Sequence, residues 1–193
     1  MDKDWGPATK FIPAILSQTS EQKILVVDDD NIYPRSLVKG FYDYSLKNVD
    51  CILTTSGWRV PADLVDRPTT LWSNIMKSPP TPVTGRRVSG LYKTDIIQGY
   101  SGYLIQPRFF DLDAVCDYSG APEAARFVDD VWVSAQAKVE KHIFPCRRFC
   151  YSVFWKKELY KGSSLAKINN WGKEDYSQRN NSVMIQFFKN RWK

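Results

Sequence analysis

Histidine and cysteine are scarce in this sequence, and long apolar runs are missing. One histidine in 193 residues argues against a metal-dependent nuclease or phosphatase, which would need more ligands than the aspartates supply. The four cysteines are irregularly spaced and make up about 2% of the chain, so reduced thiols are expected. No apolar run approaches the roughly 20 residues that a membrane span needs, which predicts no membrane segment in this chain.

The overall composition is that of a globular protein. Hydrophobic residues make up 43% of the chain and aromatic residues 14%, enough to bury one full core. A chain of this length is too short for two comfortable domains, so we expect residues 1–193 to form a single domain. No internal repeat or low-complexity tract interrupts it.

The net charge of +6 is unevenly distributed. Residues 138–193 hold 13 Lys and Arg against 4 Asp and Glu, a net charge of +9, whereas residues 1–137 carry a net charge of −3. A nonenzymatic binder of nucleic acid or another anionic polymer is therefore one hypothesis, using this basic third together with Trp155, Trp171 and Trp192. Other aromatic residues of that third fall on periodic core positions, so nucleic acid is not the partner that we expect.

Hydrophobic patterning predicts an α/β fold. Residues 23–27 form a continuous aliphatic run typical of a parallel strand buried on both faces, a helix is predicted over residues 37–46, and residues 51–55 predict the next strand. This order of strand, helix and strand is that of a βαβ unit. Residues 56–85 carry five prolines and predict a long surface loop. Further on, the patterns predict short strands at 93–97 and 103–105, a helix at 131–141, a strand at 149–155 and a C-terminal helix from Asn180.

Asp28, Asp29 and Asp30 form the first candidate site. Three consecutive carboxylates repel one another, and a cation or good solvation must offset that repulsion. One interpretation is a solvated acidic turn that caps the next helix. Their place directly after an apparently buried strand favours the other interpretation, because ligands of open α/β sheets bind beyond the carboxyl ends of the strands. Oxygen ligands of this kind suit Mg²⁺ or Mn²⁺, with substrate phosphates completing the coordination.

Asp129 and Asp130 form the second candidate site, about 100 residues later. A carboxylate beside a second carboxylate and close to an aromatic residue can have a raised pKa and serve as a general base. Alternatively, the pair is only an acidic first turn that stabilises a helix dipole. Together, the two aspartate clusters predict metal binding combined with proton abstraction, and we expect both clusters to face one cleft.

Four short motifs resemble those of glycosyltransferases of the GT-A type in their order and spacing. They are GPATK at residues 6–10, VDDDNIYP at 27–34, GYSGY at 99–103 and DDVWVS at 129–134. The similarity covers about residues 5–145. It implies a mostly parallel central sheet flanked by helices, and it also implies strands before the D-x-D strand that this chain does not offer. On that basis we expect the chain to be a partial domain that lacks the first strands of the fold.

The resemblance also implies a chemistry. The D-x-D motif would hold Mn²⁺ or Mg²⁺ through Asp28 and Asp30, with Asp28 and Asp29 close to the donor. Asp130, or secondly Asp129, would deprotonate an acceptor hydroxyl in an inverting transfer of a hexose from a nucleotide diphosphosugar. Lys10 would reach the donor as a point charge, unless it is an exposed helix lysine. Gly99 and Gly102 would shape the sugar pocket, where Tyr103 or Trp132 could stack on a sugar.

Overall fold

The computed structural model of the protein describes residues 4–69, 72, 82–147, 151–152 and 175–192. These residues form a mixed α/β structure in which helices cover both faces of a five-stranded sheet. The helices are α1 (Ile12–Ser17), α2 (Ser36–Lys47), α3 (Leu112–Cys116), α4 (Asp129–Gln136) and α5 (Asn180–Phe187). Among the described residues, no helix is both long enough and apolar enough to cross a membrane.

The main sheet has the strand order β1-β8-β3-β9-β6. Its strands are β1 (Ile24–Val26), β3 (Cys51–Thr54), β6 (Tyr92–Thr94), β8 (Tyr103–Ile105) and β9 (Glu140–Ile143). Two smaller antiparallel sheets accompany it, one of order β5-β4-β7 and one of order β10-β2. They contain β2 (Asn31–Ile32), β4 (Ser56–Trp58), β5 (Val83–Thr84), β7 (Ile96–Ile97) and β10 (Tyr151–Ser152).

The main sheet is mostly antiparallel, so the predicted mostly parallel sheet is wrong. Only β3 and β9 pair in parallel, while β1 with β8, β8 with β3, and β9 with β6 are antiparallel. Strands β1 and β3 do run in the same direction, as a βαβ unit requires, but β8 lies between them. β1 is an edge strand among the strands described, and only Val26 of it is fully buried, so it is not the parallel strand buried on both faces that its aliphatic run predicted. An aliphatic run does not reveal the direction or the number of the neighbouring strands.

Two apolar layers hold the sheet between them. On one face, α2 packs Leu37 and Phe41 against Leu53, Leu104 and Phe144. Phe41 and Phe144 meet edge to face with ring centroids 4.8 Å apart, an arrangement that adds roughly 1 kcal/mol to the burial of their area. The other face supports the larger core, which contains apolar side chains of α1, α3, α4 and α5.

One helix is shorter than its sequence predicted, and another is confirmed. α4 ends at Gln136, and the chain then forms β9, so the predicted helix over 131–141 is wrong in its second half. Pairing with β3 on one side and β6 on the other overrides the local helical pattern there. The C-terminal helix is confirmed as α5. Of the strand predicted at 149–155, only β10 lies within the described residues.

Candidate active site

Lys10 joins the two aspartate clusters. Its Nζ lies 2.9 Å from Asp28 Oδ1 and 2.8 Å from Asp129 Oδ2. Asp28 follows the end of β1 after one residue, and Asp129 is the first residue of α4, so two elements 101 residues apart in the chain meet at one ammonium group. The structure thus brings Asp28, Asp129 and Asp130 together around Lys10, so that the two clusters meet as predicted through Asp28, while a shared cleft stays a prediction.

A short 3₁₀ helix, Gly6–Lys10, places this lysine. Gly6 has a φ of +59°, and a Cβ atom there would lie 2.8 Å from the carbonyl oxygen of Arg126, so a glycine is needed where this helix begins. Burial alone would lower the pKa of Lys10, but the carboxylates of Asp129 and Asp130 raise it well above its usual range. Lys10 is therefore a partly buried, permanently charged group and not the exposed helix lysine of the alternative interpretation.

Asp130 is held by the backbone and has a perturbed pKa. The backbone N–H of Gly99 donates to its Oδ1 at 2.9 Å, and the residue as a whole is partly buried. Burial, reinforced by the negative charge of Asp129, raises the pKa of Asp130 to about 7, although Lys10 and the Gly99 N–H act in the opposite direction. A carboxyl group with that pKa exchanges a proton near neutral pH, where an acceptor hydroxyl has to be deprotonated.

Gly99 and Gly102 have different roles in the turn between β7 and β8. A Cβ on Gly99 would lie 2.5 Å from Lys10 Nζ and 3.1 Å from Asp130 Oδ1, so the bare backbone allows both charged groups to approach. Gly102 has a φ of +89°, and the atoms nearest to its Cβ direction belong to Val27 and Phe41. Its conformation explains the glycine, and its predicted contact with the donor stays a prediction.

Tyr33 and Thr55 hold this turn in place, and the sequence predicted no role for either residue, although Tyr33 belongs to the VDDDNIYP motif. The Tyr33 hydroxyl accepts a hydrogen bond from the backbone N–H of Asp28 and donates one to the carbonyl of Tyr100, each at 3.0 Å. The Thr55 hydroxyl donates to the carbonyl of Ser101 at 2.6 Å. A tyrosine shortly after an aspartate cluster has no distinctive spacing, because its two partners come together only in the folded chain.

Asp29 and Asp30 lie outside the network of Lys10. Asp29 is exposed, whereas Asp30 is partly buried and its Oδ1 accepts a hydrogen bond from the Asn31 side chain at 2.9 Å. Within the described ranges, no group of three or more His, Cys, Asp or Glu side chains is arranged to hold a metal ion. Binding of Mg²⁺ or Mn²⁺ by Asp28 and Asp30 therefore stays a prediction, in which one or two carboxylates would be joined by oxygens of a bound phosphate.

The aromatic residues proposed for sugar stacking are both buried. Tyr103 is fully buried beneath Lys10, and its hydroxyl has no hydrogen-bond partner among the residues described. Trp132 is 2% exposed, stacks on Tyr118 with ring centroids 4.0 Å apart, and donates its indole N–H to the carbonyl of Val115. The expectation that either ring stacks on a sugar is therefore wrong, because both rings are committed to the core.

The basic C-terminal third is described only in part. Trp192 donates its indole N–H to the carbonyl of Ile185 at 2.8 Å and packs against the main core. Trp155 and Trp171 lie outside the described residues. The hypothesis of an anionic-polymer binder therefore gains no support from Trp192, whose polar atom is already used within the protein.

No protein-family model matches the chain, and no curated protein matches it either. The interpretation of the site therefore depends on its own geometry and on the motifs that the chain contains.

Proposed function

We propose that the chain is the catalytic core of a metal-dependent, inverting glycosyltransferase of the GT-A type. It moves a hexose from a nucleotide diphosphosugar to an acceptor hydroxyl. Three features support this function: the order of the four motifs, the carboxylates after β1, and a second carboxylate pair at the start of α4. The fold is compatible with it at the level of a mixed α/β structure.

One observation carries the proposal. Lys10 binds Asp28 and Asp129 at the same time, and Asp130, next along the chain, has a pKa raised to about 7. A donor-side carboxylate and a proton acceptor are thus held side by side. This is the pairing that sugar transfer requires, because the leaving diphosphate and the attacking hydroxyl act on opposite sides of one carbon atom.

The proton path follows from the orientation of Asp130. Gly99 fixes Oδ1, which leaves Oδ2 to receive the proton of the acceptor hydroxyl. The acceptor oxygen then forms a bond to the anomeric carbon, the bond from that carbon to the diphosphate oxygen breaks, and its electron pair leaves with the diphosphate. Attack from the face opposite to the leaving group inverts the configuration of that carbon.

Lys10 and the D-x-D aspartates serve the donor side. Because Lys10 is already paired with Asp28 and Asp129, it holds these two carboxylates in place, and the positive charge that faces the donor diphosphate would come from the metal. Asp28 and Asp30 would hold Mn²⁺ or Mg²⁺, which when bound neutralises charge on the diphosphate.

Binding and turnover of the donor test the proposed function. We expect calorimetry to detect UDP or GDP in the presence of Mn²⁺, and release of the nucleoside diphosphate from a nucleotide-sugar to increase with pH around an apparent pKa of about 7. Asp130→Asn should abolish turnover and leave nucleotide affinity unchanged, while Asp43→Asn on the exposed face of α2 should change neither. Failure of every nucleoside diphosphate to bind with Mn²⁺ would overturn the proposal.

A further inference from the structure

A cavity lies next to Gln98, the residue before Gly99 of the candidate active site. It has a volume of about 410 Å³, within the range of sites that hold small ligands. Its walls come from β4, the segment after β4, the residue before Gly99 and the start of α5. The lining includes Trp58, Asp66, Gln98, Tyr176, Arg179 and Asn181.

The charged groups of this cavity are neutralised within the protein. Arg179 Nε lies 3.4 Å from Asp66 Oδ2, and both side chains are more than nine-tenths buried. The side-chain amide of Asn181 donates to the same carboxylate oxygen at 3.1 Å. Arg67, also in the lining, pairs with Asp63 at 2.5 Å. Because each cation among the described lining residues faces a carboxylate, these residues offer no excess charge to a phosphate or carboxylate ligand, and a neutral ligand suits them better.

The uncharged lining suits a ligand with many hydroxyl groups. Gln98 and Asn181 carry amides that both donate and accept hydrogen bonds, and the hydroxyl of Tyr176 can do either. Tyr176 is 42% exposed as a residue and lines the cavity, so its side chain can contact a ligand. Trp58 adds an aromatic wall on the core side. A sugar ring combines hydroxyl groups with apolar C–H faces, and this lining provides partners for both.

Gln98 connects the cavity to the candidate active site only along the chain. Its side chain lines the cavity, whereas the next residue, Gly99, donates its N–H to Asp130 Oδ1. Gln98 has extended backbone angles, so its side chain points away from the side on which Asp130 approaches Gly99. The Ser56 hydroxyl donates to Gln98 Oε1 at 2.6 Å, which fixes the Gln98 side chain in the cavity wall.

We infer that this cavity binds a neutral sugar ring, apart from the site of the aspartates. This inference goes beyond the proposed function and does not depend on it, because sugar binding in the cavity can be measured without any transfer. Trp58, Gln98 and Tyr176 are the residues that would contact the sugar.

Saturation-transfer difference NMR with an equimolar mixture of methyl glucoside, galactoside, mannoside and xyloside tests this inference. We expect at least one glycoside to bind the wild-type chain, and Gln98→Ala and Tyr176→Phe to weaken that binding by about tenfold, as expected for the loss of one hydrogen bond. Tyr42→Phe is the matched control, because Tyr42 is an exposed tyrosine of α2 on the other face of the sheet. It should leave the signals unchanged. Calorimetry of UDP or GDP with Mn²⁺ is measured on the same variants.

The outcomes separate the cavity from the proposed function. Nucleotide binding without any glycoside signal would overturn the inference and leave the transferase proposal standing. Glycoside signals that are equal in all variants would also overturn it, because the sugar would then bind elsewhere. Glycoside signals that depend on Gln98 and Tyr176, without nucleotide binding, would support the sugar site and overturn the transferase proposal.

Discussion

Lys10 and Asp28, 18 residues apart in the chain, form an ion pair with Nζ and Oδ1 2.9 Å apart. The same Nζ lies 2.8 Å from Asp129, so one side chain neutralises charges from two elements that would otherwise repel each other. Removing a carboxylate from this group and removing the lysine should therefore affect stability in opposite directions.

We expect Lys10→Met to destabilise the fold by about 3 kcal/mol at pH 8, because Asp28, Asp129 and Asp130 would then lie close together without a cation. The loss should shrink as the pH falls and the carboxyl groups become protonated. Urea unfolding at several pH values measures this effect. Lys39→Met is the matched control, since Lys39 is an exposed partner of Asp43 on α2 and should contribute less than about 0.5 kcal/mol. Equal losses in the two variants would contradict the role given to Lys10.

Asp130→Asn should stabilise the protein at neutral and higher pH. The folded state raises the pKa of Asp130 to about 7 from its ordinary value of 3.8, so the unfolded state releases this proton more readily. Stability is therefore lost as the pH rises between these two values, and the loss is complete above pH 7. The uncharged asparagine avoids this loss of stability, and its side-chain oxygen can still accept the hydrogen bond from the Gly99 N–H.

The expected gain for Asp130→Asn is on the order of 4 kcal/mol at pH 8 and close to zero below pH 4. Thermal or urea unfolding across this range checks it, with Asp43→Asn as an exposed aspartate control that should show no such pH dependence. A gain that stays constant from pH 4 to pH 8 would contradict the raised pKa.

Gly99→Ala should impair donor binding more than folding. The new Cβ would lie 2.5 Å from Lys10 Nζ, so the ammonium group must move away from the carboxylates. Because Lys10 Nζ is the end of a flexible side chain, we expect the variant to lose less than about 1 kcal/mol of its free energy of unfolding. Affinity for UDP or GDP with Mn²⁺, measured by calorimetry, should fall by about tenfold, equivalent to 1.4 kcal/mol.

Gly90→Ala is the control for that variant, since a Cβ on Gly90 meets nothing within 4 Å. It should leave nucleotide affinity unchanged. A Gly99→Ala protein with wild-type affinity would show that the position of Lys10 does not matter for the donor.

Asp30→Ala should abolish Mn²⁺ binding in the presence of a nucleoside diphosphate and leave the fold intact. Removing one of three neighbouring carboxylates relieves repulsion and removes an oxygen ligand. Calorimetry measures the metal affinity, and circular dichroism monitors the fold. Asp29→Ala, at the exposed middle position, should retain more of the affinity. Unchanged metal affinity in the Asp30 variant would refute its role as a ligand.

The proximity of the two aspartate clusters could be predicted from the sequence because each cluster lies next to an element with a recognisable local pattern. Asp28 follows an aliphatic strand, and Asp129 begins a helix, and both signals can be recognised without knowledge of the fold. Strand order could not be predicted in the same way. The position of β8 between β1 and β3 depends on contacts between residues far apart in the chain, such as Ile24 with Ile105, which are 81 positions apart.

The residues that line the cavity beside Gln98 could not be predicted from the sequence either. Trp58 lies in β4, within a stretch whose many prolines predicted only a loop. Asp66 and Arg179 form a pair across 113 residues, and neither belongs to a recognisable motif. Such a pair becomes visible only when α5 packs against the segment that follows β4.

The hydroxyl of Tyr33 has a thermodynamic consequence for the whole site. By bridging the N–H of Asp28 and the carbonyl of Tyr100, it fastens the donor-side aspartates to the turn that carries Gly99. Two loops that come from distant parts of the chain therefore become ordered together during folding. A ligand that arrives at either loop meets a partner surface that is already assembled, so the conformational entropy of bringing the two halves together is lost before binding and does not weaken the affinity.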